Sequence, residues 1–201
     1  MNESPLEVDD AIVLLLGAPS RLPQLAGRLQ GVTRLENMIF LLERETNLHK
    51  LLTEDAEFTA YNFGPFSAKV YQAVDTLTAA GLITDSATAS DTTADSWERF
   101  AAIEDGEDAP LEDPYATRDF ALTERGRRYY DALVRQLPPA TVNDLTKFKD
   151  RFARLPLRQL VRYVYQRYPD YTEKSLIRDE ILGRDPDHDP YTRPANSGDR
   201  C

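Results

Sequence analysis

Five cations at three- and four-residue spacing, Lys147, Arg151, Arg154, Arg158 and Arg162, are the side chains of this sequence best suited to a chemical task. Such spacing gathers side chains on one side of a helix, and a stripe of cations suits a phosphate backbone. The stripe is continuous only if the helical pieces on either side of Pro156 stay roughly aligned. A solvated amphipathic face, or a face neutralised by acids elsewhere in the chain, would use the same residues. Arg125, Arg127 and Arg128 form a second basic group, suited to a phosphate contact or to a nearby carboxylate. A third set is mostly polar: Ser67, Lys69, Gln72 and Thr76 fall at the start of a helical pattern after Gly64-Pro65. A DNA-reading helix presents such residues to base edges and phosphates. Gln72 could read adenine, but Lys69 is the only cation of the four.

Other chemistries lack their residues. There is no Gly-rich phosphate loop, no HExxH, no Cys-His pairing and no Gly-x-Ser-x-Gly elbow, so the sequence reads as a non-enzyme without a cofactor. His49 and His188 are far apart, and Asp185-x-Asp187-His188-Asp189 lies in a proline-bounded run without the preorganisation of a metal site. The single cysteine, Cys201, forms no internal disulfide. The apolar run Ala11 to Leu16 falls far short of the roughly 18 to 20 residues that cross a bilayer. A cytoplasmic protein without a membrane partner is expected.

The net charge of −10 argues against a nucleic-acid partner on average, but it is unevenly spread. Residues 84–117 hold ten carboxylates and one arginine, whereas residues 118–168 hold twelve Lys and Arg against five acids. The acidic stretch could cover the basic block as a phosphate mimic, or serve as a solubility device.

The elements that must position these residues follow from periodicity and caps. Leu6 to Leu16 reads as a first helix and residues 22–30 as a second helical piece. Residues 33–46 form a helix with Thr33 and Glu36 at capping-box spacing. Residues 58–63 are extended. Ser67 caps a helix over 67–80 that Gly81 stops. Leu82 and Ile83 open a strand, Phe120 and Leu122 belong to its partner, and Thr123 caps the next helix, which runs to Leu137. Helices are expected over 146–155 and 157–168, and Thr172 is expected to cap a last one over 173–182, ended by Gly183. Tyr165 and Tyr168 share a face with Val161 and Val164, which suits packing more than base stacking. The fold class is therefore mainly α within α+β: a winged helix-turn-helix over 1–137 with an enlarged acidic wing at 84–117. A C-terminal helical extension over 138–183 packs on it, and a disordered tail follows over 184–201.

The segments RLENMIFLLE (34–43), YNFGPFS (61–67), LTAAGLI (77–83), ALTERG (121–126) and LVRYVYQRYPDYTEKSLI (160–177) together resemble the YwgA-like winged-helix proteins of bacteria and archaea. More distantly they are similar to the Panacea (SocA-like) antitoxin domain. The resemblance covers most of residues 8–182. It implies a winged helix in a regulatory or defence setting and no catalytic residues. The long acidic wing departs from the compact family pattern. Two functions follow as expectations. One is a DNA-associated regulator of transcription that contacts double-stranded DNA, with dimerisation compatible with paired half-sites. The other is a protein-interaction module of the antitoxin or adaptor kind.

Overall fold

The computed structural model describes residues 5–61, 64–86 and 118–183. It is mainly helical, with two small antiparallel sheets. The described elements are α1 (Val8–Gly17), β1 (Arg28–Gln30), α2 (Val32–Glu45), β2 (Thr59–Tyr61), β3 (Gly64–Phe66), α3 (Ala68–Ala79), β4 (Ile83–Asp85), β5 (Asp119–Leu122), α4 (Glu124–Val134), α5 (Pro139–Phe152), α6 (Leu157–Arg167) and α7 (Arg178–Leu182). The acidic stretch from 87 to 117 and the tail from 184 onward lie outside the described residues. Among the described residues, no helix is long and apolar enough to cross a membrane.

The larger sheet has the order β1-β5-β4. Leu29 lies opposite Phe120 and Ile83 opposite Leu122, all four buried, so the two-residue period of each strand sends one face into the core. The chain leaves and re-enters this sheet through a clamp. Arg118 forms a bidentate ion pair with Asp85, 2.6 Å at its shorter contact, and Asp119 N–H donates to Ser86 Oγ at 2.7 Å. Helices α1 and α2 run through the centre: Ala11 to Leu16 of α1 are almost wholly buried, as are Leu35 and Met38 to Leu42 of α2. Each buried leucine or isoleucine contributes about 1.5 to 3 kcal/mol.

Several boundaries differ from the sequence expectations. Residues 22–30 are not helical beyond one tight turn over Pro23–Leu25: Gly27 turns the chain at φ 71°, and Arg28–Gln30 join the sheet as its edge strand. Helix α2 starts at Val32 with Gly31 before it and no side-chain cap, because Thr33 and Glu36 are already buried inside the helix. Helix α5 starts at Pro139 rather than Thr146, since a proline with its fixed φ and missing N–H fits the first helical position. Thr172 caps no helix: its hydroxyl donates back to Pro169 O at 2.7 Å, and α7 begins only at Arg178. Between them, Ser175 Oγ accepts from Ile177 N–H and meets Tyr165 Oη at 2.8 Å, which holds the backbone in turns instead of a helix.

Two buried cations tie the C-terminal helices to the centre. Lys149 of α5, fully buried, donates to Leu16 O at 2.6 Å and Ala18 O at 3.0 Å at the end of α1. Arg34 of α2 donates to Ala153 O at 3.2 Å and Leu155 O at 2.6 Å at the end of α5. Each fills carbonyls that a helix end leaves without an intrahelical donor. Tyr165, as expected, is a packing residue: it is buried on Gly64, where a Cβ would come within 2.9 Å of its ring. Tyr168 packs edge-on against Phe40 at 5.0 Å.

Candidate interaction site beside helix α3

Helix α3 begins where Ser67 Oγ accepts the Val70 N–H at 3.2 Å. The same hydroxyl donates to Ala56 O, and Ser67 is fully buried. Its expected role as an exposed contact is therefore corrected: the oxygen that would meet a ligand is consumed by the cap. Ala56 in turn donates its N–H to the buried Glu43 of α2 at 2.7 Å. Burial, partly offset by that amide, raises the Glu43 carboxyl above the usual carboxylate range. The segment before β2 is thus pinned to α2 on one side and to α3 on the other.

That segment presents two carboxylates to Lys69, with Nζ 2.7 Å from Glu54 and 2.8 Å from Glu57. Nζ also lies 3.3 Å from Asp55 O. The hydrogen bonds that it donates to Glu54 and then to Glu57 hold the ammonium above the usual lysine range. Glu57 makes its contact from a left-handed backbone, φ 51°, which costs a residue with a Cβ about 1 kcal/mol. Lys69, the only cation among the four α3 candidates, is already neutralised. Gln72 and Thr76 are exposed as expected, with Thr76 Oγ1 donating to Gln72 O at 2.8 Å.

Along this face runs a trough made of two hollows of about 460 Å³ each, which share Glu7, Asp9 and Thr76. One is lined by Thr53, Glu54, Lys69, Gln72 and Ala73; the other has an apolar floor that includes Leu6, Leu51, Leu77, Leu82 and Leu133. Its rim is held by Leu6, which exchanges backbone hydrogen bonds with Leu51 and Thr53 at 2.9 and 2.8 Å. At the start of α1, Glu7 N–H donates to Asp10 Oδ2 at 3.0 Å, and Tyr129 Oη donates to Asp10 Oδ1 at 2.6 Å. Burial and the Asp10 carboxylate push the Tyr129 hydroxyl up to about 12. Burial, then Glu7 and Asp10, raise the Asp9 carboxyl. No cation pairs with Asp9 among the described residues. The trough therefore sets Glu7, Asp9, Asp10 and Glu54 against the one ammonium of Lys69.

These acids were not among the sequence candidates. Asp9 and Asp10 lie in the first turn of α1 next to its N-cap Glu7, where acids commonly complement the helix end, and Glu54 and Glu57 lie in the irregular stretch before β2. Only folding brings the two segments to α3.

The basic candidates divide. Arg125 donates to Ala80 O at 2.9 Å and so finishes the C-terminal end of α3, while Arg128 pairs with Glu124 one turn away at 2.7 Å. The Arg127 guanidinium lies over Gly27. Lys147, Arg151 and Arg154 do share a groove of about 320 Å³ with Arg21, but Asp150 sits among them, binding Arg21 N–H at 2.9 Å and Ser20 Oγ at 3.0 Å. Arg151 also lies 3.9 Å from Glu45 and over the rings of Phe152 and Tyr163. Arg158 donates to Glu180 O at 3.1 Å, and neither it nor Arg162, exposed on α6, lines this groove. The expected five-residue stripe is thus a three-residue one, because the chain turns at Leu155-Pro156, where Arg34 bonds the two carbonyls just before the turn.

The trough lies at the start of α1 and the basic groove at its end, and ten helical residues span about 15 Å. The two surfaces are separate. Lys149, missed by the sequence series, lies two residues from Lys147 and from Arg151 and so on the inner face of α5 with Leu145, Phe148 and Phe152. Its fit beside those residues was the available signal. Comparison of the chain with protein-family models, with curated proteins and with solved structures finds no match.

Proposed function

We propose that the chain is a winged-helix protein serving as a protein-interaction module, which offers α3 and the adjoining trough to a partner protein and carries out no catalysis. The order α1, β1, α2, α3, β4, β5 and the sheet order β1-β5-β4 support the winged-helix reading, with α3 in the position of a DNA-reading helix. The observation that carries the choice of protein over DNA is the double clasp of Lys69 by Glu54 and Glu57 beside the acidic trough. A duplex approaching this face would bring about one phosphate charge per 1.7 Å against carboxylates, with no released cation to offset the repulsion. A photo-crosslinking residue at Gln72 should yield protein adducts in cells. Nucleic-acid adducts at that position would sink the reading.

One observation favours a second reading, DNA association through the groove of Arg21, Lys147, Arg151 and Arg154. Mixed-sequence duplex in a gel shift at low salt distinguishes the two. Under the first reading no complex forms. Under the second, affinity falls with salt with a slope of about −3 for three to four phosphate contacts, and Lys147→Ala with Arg151→Ala abolishes it.

A further inference from the structure

Resting on that reading, we propose that the trough beside α3 receives a cationic amphipathic helix of the partner. Its apolar side chains would lie on the leucine floor, and a lysine or arginine would be placed between Glu7 and Asp9. Three observations fix this chemistry. The floor is apolar where α3 meets α4, so an ion or a polyamine alone would leave it wet, whereas apolar side chains remove that surface from water. The rim is acidic from Glu54 to Asp10, and the acids are unequally occupied. Asp10 is satisfied by Glu7 N–H and Tyr129 Oη, and Lys69 is taken up by Glu54 and Glu57, but Asp9 is half-buried and pairs with no cation among the described residues. A carboxylate in that position gains most from an incoming ammonium or guanidinium, because pairing offsets both the cost of its burial and the repulsion from its neighbours. The acids are also too spread out for a metal: no cluster of three or more ligating side chains occurs among the described residues.

The dimensions agree with a helical occupant. Lys69 lies at one end of the trough and Ala80 at the other, about 16 Å apart along α3 at helical rise, which accommodates about three turns of a second helix. Such a segment meets α3 as an amphipathic helix meets a groove, with anchors at three- and four-residue spacing. An anionic or purely polar helix would set carboxylates against Glu7 and Asp9, so the trough selects by sign as well as by shape.

The test uses the full chain and a fluorescein-labelled 14-residue peptide of leucine and lysine, with leucines at helical spacing. A second peptide carries the same residues in scrambled order. Fluorescence anisotropy at moderate salt should show the patterned peptide binding at least tenfold tighter than the scrambled one of equal charge. Asp9→Asn should weaken it about tenfold, the scale of one charge-assisted hydrogen bond. Ala132→Arg, which puts a cation on the exposed α4 rim of the trough, should block it without touching the core. Equal binding of both peptides, or indifference to both substitutions, would mean attraction to the net charge only and would overturn the proposal. Spermine displacing the patterned peptide with comparable affinity would overturn it in favour of a polyamine site. Failure here with protein adducts still formed at Gln72 rejects the occupant and keeps the interaction module. Nucleic-acid adducts at Gln72 reject the module itself.

Discussion

Gly126→Ala isolates the contact that sets one wall of the trough. Gly126 lies in the first turn of α4, and a Cβ there would stand 1.9 Å from Leu82 O, where carbon and oxygen ordinarily approach to about 3.3 Å. The helix must therefore back away by more than 1 Å. Leu82 O accepts the Thr123 N–H at 3.0 Å and shares the Thr123 hydroxyl, at 3.1 Å, with Gly81 O at 2.7 Å, and Thr123 Oγ1 also caps α4 through Gly126 N–H at 3.0 Å. Loss of the two bonds to Leu82 costs about 2 kcal/mol, and overpacking adds about 1 to 3 kcal/mol. The better helix propensity of alanine returns about 1 kcal/mol. The net expectation is about 2 to 4 kcal/mol, or a Tm lower by roughly 4 to 16 °C for a chain of this size. Urea unfolding followed by circular dichroism measures it, with Gly81→Ala as the control. Gly81 has φ 65° but open space around it, so that variant should lose only about 1 kcal/mol. Because α4 carries Tyr129, Ala132 and Leu133 into the trough, Gly126→Ala should also weaken the patterned peptide. A Gly126→Ala protein within about 0.5 kcal/mol of the parent would refute this reading of the contact.

Three further perturbations test the rest. Burial lowers the Lys149 amine from 10.5 to about 8, so between those values the unfolded chain holds a proton that the folded one has lost. Stability from this group therefore rises as pH rises through that window, by an amount on the order of 3 kcal/mol. Urea midpoints at pH 7 and 10, each compared with Lys149→Met, measure the increment, which should vanish in the variant. Glu57→Ala, which keeps the left-handed strain and loses the Lys69 contact, should lower the melting temperature slightly, whereas Glu57→Gly, which relieves the strain, should leave it near the parent value; thermal melts of the pair decide it. Arg34→Met leaves Ala153 O and Leu155 O without their buried donor and should cost about 3 kcal/mol or more, read by urea unfolding.

Much of the scaffold was legible because its signals are local. Ser67 and Thr123 sit at N-cap positions, Phe120 and Leu122 alternate in a strand, and Thr59–Tyr61 of the expected extended run form β2, all as their side-chain chemistry dictates, while residues 62 and 63 of that run lie outside the described residues. What escaped depends on partners distant in sequence. Arg28–Gln30 become a strand only because β5 lies beside them, and Thr33 and Glu36 match a capping box that the burial of α2 overrides. The candidate site suffered in the same way. Ser67 has the right identity for either a cap or a contact, and the choice is made by Ala56. Lys69 looked available until Glu54 and Glu57, fifteen and twelve residues earlier, closed on it.

The buried cations Lys149 and Arg34 have a consequence for how the molecule comes apart. Lys149 runs from α5 to the end of α1, and Arg34 runs from α2 to the end of α5. Peeling α5 from the centre would break both links at once, leaving one stranded cation and the open ends of two helices. Partial opening is thus nearly as costly as complete opening, and the segment after residue 137 is fastened into the same cooperative unit as the helices before it. Amide protons at the ends of α1 and α5 should exchange together, at the rate set by global unfolding.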